Sequence, residues 1–459
     1  MNLAGKHVLV LGLGLSGLSM VRWLMRAGAR VRVADTRAAP PCLAQLRQEH
    51  PQVSVSTGDF SAGLFEQVEL IALSPGLPMT APALSEAQAR GIPVVGDIEL
   101  FAQSLPLSRA TRIVAITGSN GKSTVTEMAG AMCRAAGLET VVAGNIGLPV
   151  LDAVQTVQCA TMTDAPIAFV LELSSFQLEA TSSLNAHVAA CLNLSEDHLD
   201  RYAGMHEYAQ AKARIFRGDG VQVVNRQDAW SRGMVIPGRR VFTFGLDAPQ
   251  GDNDWGLAGS GTDMWLAQGQ QRLMPVSRLR VSGLHNAANA LAALALTRAV
   301  DLPYAPLLEA LSRFEGLPHR VQKVAEIDGI TFYDDSKGTN VGATVAALNG
   351  MRQKVILIAG GDGKGQDFTP LKDVVARQAR AVVLIGRDAA RIAEAVAGID
   401  VPLVRARDMD EAVRAGHDRA REGDVVLLSP ACASFDMFRD YEHRAQAFVQ
   451  AVHKLMAHS

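Results

Sequence analysis

The stretch that most constrains this sequence is a run of twelve residues at 113–124, which reads IVAITGSNGKST. Its first five residues, Ile113–Thr117, are apolar or β-branched, as in a short buried strand, and an amphipathic helical pattern begins at Lys122. Two glycines, Gly118 and Gly121, lie between the strand and the helix. Such a loop binds phosphate, because its backbone N–H groups point inward and the helix dipole favours an anion.

The side chains that follow the glycines fit the same interpretation. Lys122 would reach the terminal phosphates of a nucleotide, and the hydroxyl of Ser123 or Thr124 would bind a magnesium ion. The usual pattern G-x-x-x-x-G-K-[ST] needs a glycine where Ile116 stands, so the loop is a shortened variant, G-x-x-G-K-[ST]. The alternative is a Gly/Ser turn that happens to precede a lysine, but the order of strand, loop and helix favours a phosphate loop.

Length and composition limit the class of protein. A chain of 459 residues is long enough for about three domains of roughly 150 residues each. The net charge of −2 argues against a protein whose whole surface binds nucleic acid. The apolar stretch Val8–Met25 is interrupted by glycines and Arg22, so we expect neither a membrane span nor a secretion signal. The five cysteines are scattered without a C-x-x-C pair, which favours a reducing cytoplasm over a disulfide frame or a zinc site.

A second glycine motif stands near the N-terminus. His7–Leu11 predicts a strand, the pattern G-x-G-x-x-G follows at 12–17, and a strand over Arg30–Ala34 ends at Asp35. This order fits the dinucleotide fingerprint, in which a diphosphate lies on a helix N-terminus and the acidic residue lies near a ribose. The motif does not identify the nucleotide. Glycines that serve only tight packing of helix against strand are the alternative.

Strands alternate with helices along the chain, which predicts an α/β fold with mostly parallel sheets covered on both faces. We expect three domains, which span residues 1–106, 107–316 and 317–459. The first boundary is placed near Leu107, because the segment Phe101–Arg112 contains Pro106 and has no periodic apolar face. The second lies in Phe314–Arg320. The Gly-, Asp- and Asn-rich segment Ala248–Gly261 predicts an exposed loop near a strand hairpin.

Polar side chains stand at the predicted strand ends of the second domain: Lys122, Asn145, Glu172 and His198. Because the carboxyl ends of parallel strands meet at one edge of a sheet, these groups can converge on a nucleotide–metal site. A carboxylate such as Glu172, directly after a buried strand, is more often functional than structural. His198 lies in a polar loop and fits a solvated histidine equally well. Magnesium prefers oxygen ligands, so a histidine ligand would be unusual for it and would suit manganese too.

Two loops of the third domain also carry cations at predicted strand ends. Asp335–Asn340 and Gly360–Lys364 each offer a lysine with hydroxyl or amide donors, which suits a dicarboxylate, although such turns also serve only as connections. Lys212, on a helix predicted over Met205–Phe216, is by itself typical of a solvated helix face.

Over essentially its whole length the chain resembles the Mur ligases of bacterial cell-wall synthesis. The resemblance rests on TGSNGKST and on further motifs in the same order, GNIG, ELSSFQLE, EDHLDRY, HNAANALAA, GLPHR and DDSKGTN. It implies a Rossmann-like N-terminal domain, a central P-loop ATPase-like domain with a parallel sheet, and a Rossmann-like C-terminal α/β domain. Within the family, the N-terminal GLGLSG, the DSK loop, GGDGK and LLSPACASFD are similar to the member that adds D-glutamate to UDP-N-acetylmuramoyl-L-alanine. The DNPR motif usual in ligases that add a diamino acid is absent from the sequence.

The resemblance also implies which residues bind each substrate. The UDP-linked substrate would be bound by Gly14, Leu15, Ser16, Asp35, Thr36, Arg37, Ser74, Gly76 and Asn145. ATP would be bound by Gly118, Ser119, Asn120, Gly121, Lys122, Ser123, Thr124, Asn286, Asn289, Arg320 and Asp335. D-Glutamate would be bound by Lys337, Thr339, Lys364, Ser434 and Tyr441. Tyr441 stands where the family usually has phenylalanine, and its hydroxyl adds a polar group to that pocket.

The catalytic set implied by the resemblance is Lys122, Glu172, His198 and Lys212. The cofactors would be ATP and Mg²⁺ or Mn²⁺, with the metal bound by Ser123, Glu172, His198 and a carbamylated Lys212. The substrate's alanyl carboxylate would attack the γ-phosphate of ATP, and the amine of D-glutamate would displace phosphate from the acyl phosphate. We expect a cytoplasmic monomer without a nucleic-acid or membrane partner.

Other functions fit the sequence less well. A nicotinamide-dependent dehydrogenase would explain the first glycine loop and leave the second without a purpose. A non-catalytic nucleotide-binding protein would leave Asn145, Glu172 and His198 unexplained. Folylpolyglutamate synthase and other Mur ligases share the middle domain, but they would not need a UDP-type first domain with this ending.

Overall fold

The computed structural model describes residues 2–104, 111–160, 166–261, 263–281 and 283–457. Three β-sheets follow one another along these ranges, and helices cover them. The predicted α/β class with three sheet-based domains is confirmed. None of the helices within the described ranges is long and apolar enough to cross a membrane.

The first sheet is parallel throughout, in the order β3-β2-β1-β4-β5. Its strands are β1 (His7–Leu11), β2 (Arg30–Asp35), β3 (Ser54–Thr57), β4 (Leu70–Leu73) and β5 (Val94–Val95). Its helices are α1 (Leu15–Arg26), α2 (Leu43–Glu49), α3 (Pro82–Ala89) and α4 (Asp97–Ser104). The strand order reverses between β1 and β4, and in sheets of this kind a ligand binds at the carboxyl edge beside that point.

The second sheet has nine strands within the described ranges, in the order β14-β13-β12-β11-β10-β9-β6-β8-β7. These are β6 (Thr111–Thr117), β7 (Glu139–Gly144), β8 (Ile167–Glu172), β9 (Val188–Cys191), β10 (Val221–Asn225), β11 (Val241–Phe244), β12 (Asp254–Ala258), β13 (Trp265–Gln268) and β14 (Gln271–Pro275). The helices are α5 (Lys122–Ala135), α6 (Val150–Ala160), α7 (Ser175–Glu179), α8 (Met205–Ala213), α9 (Ala229–Gly233), α10 (Leu284–Ala299) and α11 (Tyr304–Arg313). Only the pairs of β13 with β12 and with β14 are antiparallel among these strands.

The third sheet has the order β15-β16-β20-β17-β18-β19, and β15 is its antiparallel edge. Its strands are β15 (Gln322–Ile327), β16 (Ile330–Asp334), β17 (Val355–Gly360), β18 (Ala379–Ile385), β19 (Leu403–Arg405) and β20 (Val425–Leu428). Its helices are α12 (Val341–Gly350), α13 (Leu371–Gln378), α14 (Ala389–Ala395), α15 (Met409–Arg419) and α16 (Tyr441–Met456).

Strand β6 shows why the sequence of a central strand is a continuous apolar run. Ile113 and Ala115 belong to the core on one face of the sheet, and Val114 and Ile116 to the core on the other. A parallel sheet that is covered on both faces needs apolar residues at every position of its strands. Because β6 lies inside the sheet, between β8 and β9, the phosphate loop begins from a rigid position.

The expectation of an exposed loop at Ala248–Gly261 is wrong in part, because β12 lies within the segment and the side chain of Trp255 is fully buried. Ahead of the predicted first boundary, α4 extends to Ser104, and its Phe101 packs against Phe169 of the central sheet with ring centres 5.2 Å apart. Both buried aromatics lie in segments with weak local periodicity, so tertiary packing decides their structure.

The domain boundaries stay predictions. The first, near Leu107, lies outside the described residues. The second, at 316–317, lies between the end of α11 and the start of β15, where the segment is neither helix nor strand.

Candidate active site

The phosphate loop connects β6 to α5. Gly118 has φ +152° and Gly121, the residue before the helix, has φ +83°, a backbone conformation that favours glycine. A Cβ atom at Gly121 would lie 2.5 Å from Asn289 Oδ1, so a larger residue there would displace the Asn289 side chain of α10. The ammonium of Lys122 donates to the carbonyl oxygens of Gly118 and Ser119, at 2.9 and 3.0 Å. Its burial lowers the pKa of Lys122, and Glu172 and Asp197 partly offset that effect.

Two residues that were not predicted from the sequence hold this loop in shape. Asn193, two residues beyond β9, accepts from the N–H of Asn120 at 2.8 Å and donates to its carbonyl oxygen at 3.0 Å. Ser195 accepts from the side-chain amide of Asn120 at 3.2 Å. The strand β9 lies beside β6, so the available signal was the position of Asn193 at a neighbouring strand end.

Glu172 is the last residue of β8 and is 1% exposed. Its Oε1 accepts a hydrogen bond of 2.8 Å from the side-chain amide of Asn145, so two of the predicted residues are in direct contact. Its buried Oε2 has no hydrogen-bond partner among the described residues. An unpaired buried carboxylate oxygen costs free energy unless a cation binds it.

A metal ion would fit here, with protein and phosphate oxygens as ligands. Among the described residues, no three His, Cys, Asp or Glu side chains are grouped so that they could hold a metal by themselves. The predicted set of Ser123, Glu172, His198 and a carbamylated Lys212 would therefore need ligands from the nucleotide as well. Hard cations such as Mg²⁺ prefer such oxygen ligands.

Lys212 lies on α8 and is buried beneath the phosphate loop. Its ammonium donates to the carbonyl oxygen of Gly118 at 2.9 Å and lies 3.3 Å from Thr117 Oγ1. Burial, and next the charge of Lys122, lowers the pKa of Lys212 to about 7. The alternative interpretation of Lys212 as a lysine on a solvated helix face is excluded, because its side chain is buried.

His198 has φ +57°, an uncommon backbone conformation for a residue that is not glycine. Its Nε2 lies 3.5 Å from Asp197 Oδ2, and its ring lies edge-on against Phe176, with ring centres 4.7 Å apart. Burial lowers the pKa of His198, so the imidazole is neutral at pH 7 and has a lone pair for a cation or a proton.

The phosphate loop opens into a cleft between the central and C-terminal domains. The cleft is lined by seven residues of the predicted ATP set, Asn120, Gly121, Thr124, Asn286, Asn289, Arg320 and Asp335. Arg320 donates to the hydroxyl of Ser123 across the cleft, at 2.7 Å. Asn225 and Phe244, the last residues of β10 and β11, also line it and were not predicted. Burial raises the pKa of Asp335 to about 7.

Three loops of the C-terminal domain meet at the carboxyl ends of β16, β17 and β20. The carbonyl oxygen of Gly338 accepts from the N–H of Ala431 at 2.9 Å, and Asp362 exchanges two backbone hydrogen bonds with Ala433. Lys337, Thr339, Lys364 and Ser434 all belong to these loops, so the sequence prediction that they lie close together agrees with the geometry. The role of each toward an amino acid stays a prediction.

Lys337 and Tyr441 form the contact that departs from the family pattern. The ammonium of Lys337 lies 3.7 Å from the centre of the Tyr441 ring, a cation–π contact that phenylalanine would also provide. The Tyr441 hydroxyl donates to Glu442 at 2.9 Å and so has a partner of its own. Burial, together with Arg320, lowers the pKa of Lys337 to about 8.

A second cleft separates the first domain from the central domain. It is lined on one side by Leu15, Ser16, Ser74 and Gly76 and on the other by Asn145. These are five of the nine residues predicted for the UDP-linked substrate. Asn145 also contacts Glu172, so this cleft reaches the edge of the phosphate site.

The carboxylate of Asp35 is hydrogen-bonded to other residues of the first domain. Its carboxylate accepts from the N–H of Leu13 at 2.7 Å and from the Arg37 guanidinium at 2.6 and 2.8 Å. Burial alone would raise the pKa of Asp35, but these hydrogen bonds outweigh it and hold the pKa at about 2. The carboxylate therefore fixes the glycine turn and orients the half-exposed Arg37, and a direct contact with a ribose stays a prediction.

The fold combines a doubly wound sheet, a sheet that carries a phosphate loop, and a third α/β unit. The three units meet around one glycine loop and define a three-domain nucleotide-binding enzyme. Three family models match the chain in order: Mur ligase MurD-like N-terminal domain at residues 6–96, Mur ligase middle domain at 116–297, and Mur ligase glutamate ligase domain at 319–432. The chain belongs to the Mur ligase family.

Curated relatives agree with this assignment, and a solved structure supports the fold. The UDP-N-acetylmuramoylalanine–D-glutamate ligase of Methylobacillus flagellatus is 58% identical over 98% of this chain and 98% of its own length. The enzyme of the same name from Nitrosospira multiformis is 58% identical over 100% of this chain and 97% of its own. The crystal structure of UDP-N-acetylmuramate-alanine ligase from Thermotoga maritima covers 98% of this chain and 99% of its own, with a TM-score of 0.59 at 19% identity, and supports the fold.

Proposed function

We propose that this protein is an ATP-dependent ligase that joins D-glutamate to UDP-N-acetylmuramoyl-L-alanine in the synthesis of peptidoglycan precursors. The observation that carries the proposal is the convergence of two clefts and three C-terminal loops on one phosphate loop. Relatives that are 58% identical over nearly the full length bear the name of this activity. A dehydrogenase would use the first glycine loop alone, and it would leave the convergence at Lys122 and Glu172 unexplained.

ATP binds in the cleft between the central and C-terminal domains. The N–H groups of the phosphate loop and the ammonium of Lys122 surround the β- and γ-phosphates. Asn286, Asn289, Arg320 and Asp335 line the same cleft and hold the rest of the nucleotide. Lys122 already donates to loop carbonyl oxygens, and a phosphate oxygen offers it a stronger, charged acceptor.

The UDP-linked substrate binds in the cleft that begins at the first glycine loop. Its diphosphate lies at the N-terminus of α1 near Leu15 and Ser16, and its alanyl carboxylate extends to Asn145. Arg37, held by Asp35, contacts the uridine nucleotide. The side-chain amide of Asn145 thereby lies between the substrate and Glu172.

The reaction has two steps. A carboxylate oxygen of the alanyl group attacks the γ-phosphorus, ADP leaves, and an acyl phosphate is formed. The α-amine of D-glutamate then attacks the acyl carbon, loses a proton and expels inorganic phosphate, which leaves an amide. The protein contributes position and charge neutralisation, with Lys122 at the transferred phosphoryl group. Domain closure excludes water, which would otherwise hydrolyse the acyl phosphate.

The residues around Glu172 Oε2 would hold a divalent metal, with Ser123, His198 and a carbamylated Lys212 as further ligands. Such an ion, when bound, neutralises negative charge on the phosphates. Lys212 forms the carbamate when its neutral amine adds to CO₂ and loses a proton, which replaces a cation by an oxygen ligand. The unpartnered Glu172 oxygen and the burial of Lys212 beside the loop support this set.

D-Glutamate binds between the three C-terminal loops and the phosphate loop. Lys337 and Lys364 provide two cations for its two carboxylates, and Thr339 and Ser434 provide hydroxyl groups. Lys364 lies 3.6 Å from Asp197 of the central domain, so this cation is at the domain contact. We place the enzyme in the cytoplasm as a monomer, where ATP and the nucleotide substrate are available; light scattering would test the oligomeric state.

The test is an omission experiment on the full chain. Phosphate release from ATP is measured with UDP-N-acetylmuramoyl-L-alanine, D-glutamate and Mg²⁺ together, and then with each of them left out. We expect rapid release only with the complete mixture, and formation of one amide product per phosphate. Equal release without D-glutamate, or with any amino acid in its place, would contradict the proposed function.

A further inference from the structure

Asn340 is a buried amide at the contact between the central and C-terminal domains, with an exposure of 3%. It is the N-cap residue of α12, and its Oδ1 accepts from the N–H of Ala343 at 2.9 Å. Its Nδ2 group faces the other domain and donates to Asn120 Oδ1 of the phosphate loop at 3.0 Å. The Asn340 side chain thus caps the N-terminus of α12 in the C-terminal domain and contacts the phosphate loop of the central domain.

The orientation of both amides follows from their partners. The backbone N–H of Ala343 can only donate, so the oxygen of Asn340 must face α12 and its NH₂ group must face Asn120. Asp197 Oδ2, at 3.5 Å, is a second acceptor on the same side. In this arrangement the central domain presents two acceptors to the NH₂ group of Asn340, one from Asn120 and one from Asp197.

The first turn of α12 lies directly against the central domain. A Cβ atom at Gly342 would lie 2.7 Å from Ser195 Oγ and 3.1 Å from Asn120 Nδ2. A larger residue would require either the helix or the side chains of Ser195 and Asn120 to move. Ser195 and Asn120 are hydrogen-bonded to each other, so α12 rests on the network that shapes the phosphate loop.

The same helix start is joined to both lysine loops of the C-terminal domain. Asn340 directly follows Thr339 in the loop that carries Lys337. The N–H of Val341 donates to Gln366 Oε1 at 3.0 Å, and Gln366 is two residues from Lys364. A displacement of α12 relative to Asn120 would therefore displace both lysines relative to the γ-phosphate.

We infer that Asn340 is a positioning residue for ligation: through Asn120 it holds the two lysine loops in register with the phosphate loop. This inference rests on the proposed function, since it takes those loops to bind D-glutamate. Asn340 itself touches neither reacting group. Loss of the Asn340 side chain affects the attack of D-glutamate on the acyl phosphate, because it changes where the C-terminal domain closes on the central domain.

Two variants separate this role from helix capping. Asn340→Ser keeps a good cap, because serine caps helices about as well as asparagine, but it cannot reach Asn120. Asn340→Asp keeps both cap and length, but it places a carboxylate opposite Asn120 Oδ1 and Asp197. We expect kcat/KM for D-glutamate to fall about fivefold in Asn340→Ser, as for one lost hydrogen bond, and more than about tenfold in Asn340→Asp.

The matched control is Asp408→Ser, at the exposed N-cap of α15 in the same domain. Asp408 Oδ1 accepts from the N–H of Glu411 at 2.8 Å, and the cap faces solvent. We expect wild-type kinetics for this control. In both Asn340 variants the dissociation constant of UDP-N-acetylmuramoyl-L-alanine stays at the wild-type value, because that substrate binds at the other cleft, and the melting temperature falls only modestly, as for one lost buried hydrogen bond.

Values of kcat/KM within twofold of wild type in both Asn340 variants would overturn the inference. A parallel loss of melting temperature and of affinity for every ligand would also overturn it, since that pattern indicates general destabilisation. Failure of the proposed function is a separate result, because the wild type itself would then release no phosphate with D-glutamate. In that case small-angle X-ray scattering compares wild type with Asn340→Asp. A larger radius of gyration in the variant supports the domain contact, and equal radii overturn it.

Discussion

Lys122 and Lys212 donate to the same acceptor, the carbonyl oxygen of Gly118, each at 2.9 Å. Two buried ammonium groups on one oxygen repel each other, and burial lowers the pKa of both. Lys122 lies in the loop that would contact the γ-phosphate, so its charge serves the nucleotide. The arrangement therefore favours Lys212 as the amine that gives up its charge, which is the condition for carbamylation.

The first prediction concerns that modification. Lys212→Ala should lower turnover at least about tenfold, because an anionic metal ligand is lost, and a tenfold effect corresponds to about 1.4 kcal/mol. A short-chain carboxylate added to the assay should restore part of the activity, while sodium chloride at equal ionic strength should not. Unchanged turnover in Lys212→Ala would remove Lys212 from the metal site.

The second prediction concerns Lys122. Lys122→Ala should abolish nearly all ligation, because charge that develops on the transferred phosphoryl group is left without its cation. Calorimetry should show wild-type affinity for UDP-N-acetylmuramoyl-L-alanine, which binds at the cleft beside Leu15 and Ser74. If more than about a tenth of the turnover remains, Lys122 contributes less than about 1.4 kcal/mol and is not the phosphate cation.

The third prediction concerns the choice of amino acid. Lys364→Ala should raise the KM for D-glutamate about tenfold or more, as for the loss of a charged hydrogen bond, and should change the KM for ATP much less. Lys372→Ala, an exposed lysine of the same domain, is the matched control and should behave as wild type. Equal increases in both KM values would assign Lys364 to the nucleotide.

The fourth prediction is a pH dependence of stability. Burial raises the pKa of Asp335 from its ordinary value to about 7, so the folded protein binds a proton that the unfolded chain releases near pH 4. This group therefore stabilises the fold below the unfolded-state pKa, and the contribution is lost as the pH rises through 7. Between pH 6 and pH 8 the loss is about 1.4 kcal/mol.

Asp335→Asn, which resembles the protonated acid, should lack this dependence. Thermal unfolding of the C-terminal domain, measured at pH 6 and pH 8, should therefore show a smaller downward shift in the variant than in wild type. The same shift in both proteins would show that Asp335 does not titrate in this range.

Local sequence was sufficient for several functional groups that stand at the ends of strands. Lys122, Glu172 and Asn145 follow apolar runs, and parallel strands bring their carboxyl ends together, so the contact between Glu172 and Asn145 could be anticipated. Lys212 is the opposite case. Its own helix gives no sign that it is buried, and only the resemblance to a family pointed to it.

Contacts between domains could not be predicted in the same way. Asn340 and Gly342 act on the phosphate loop from the C-terminal domain, and nothing in their local sequence specifies that partner. Asp35 shows a further limit. The fingerprint predicted its position correctly, but the hydrogen bonds it receives from Leu13 and Arg37 depend on the folded turn.

The most direct measurement of the central claim follows one oxygen atom. UDP-N-acetylmuramoyl-L-alanine is labelled with ¹⁸O in the alanyl carboxylate and incubated with the enzyme, ATP, Mg²⁺ and D-glutamate, and the released phosphate is analysed by mass spectrometry. Because the carboxylate oxygen attacks the γ-phosphorus and the amine later breaks the bond between that oxygen and the acyl carbon, one labelled oxygen should appear in each phosphate. Phosphate without the label, formed together with the amide product, would contradict the acyl-phosphate mechanism.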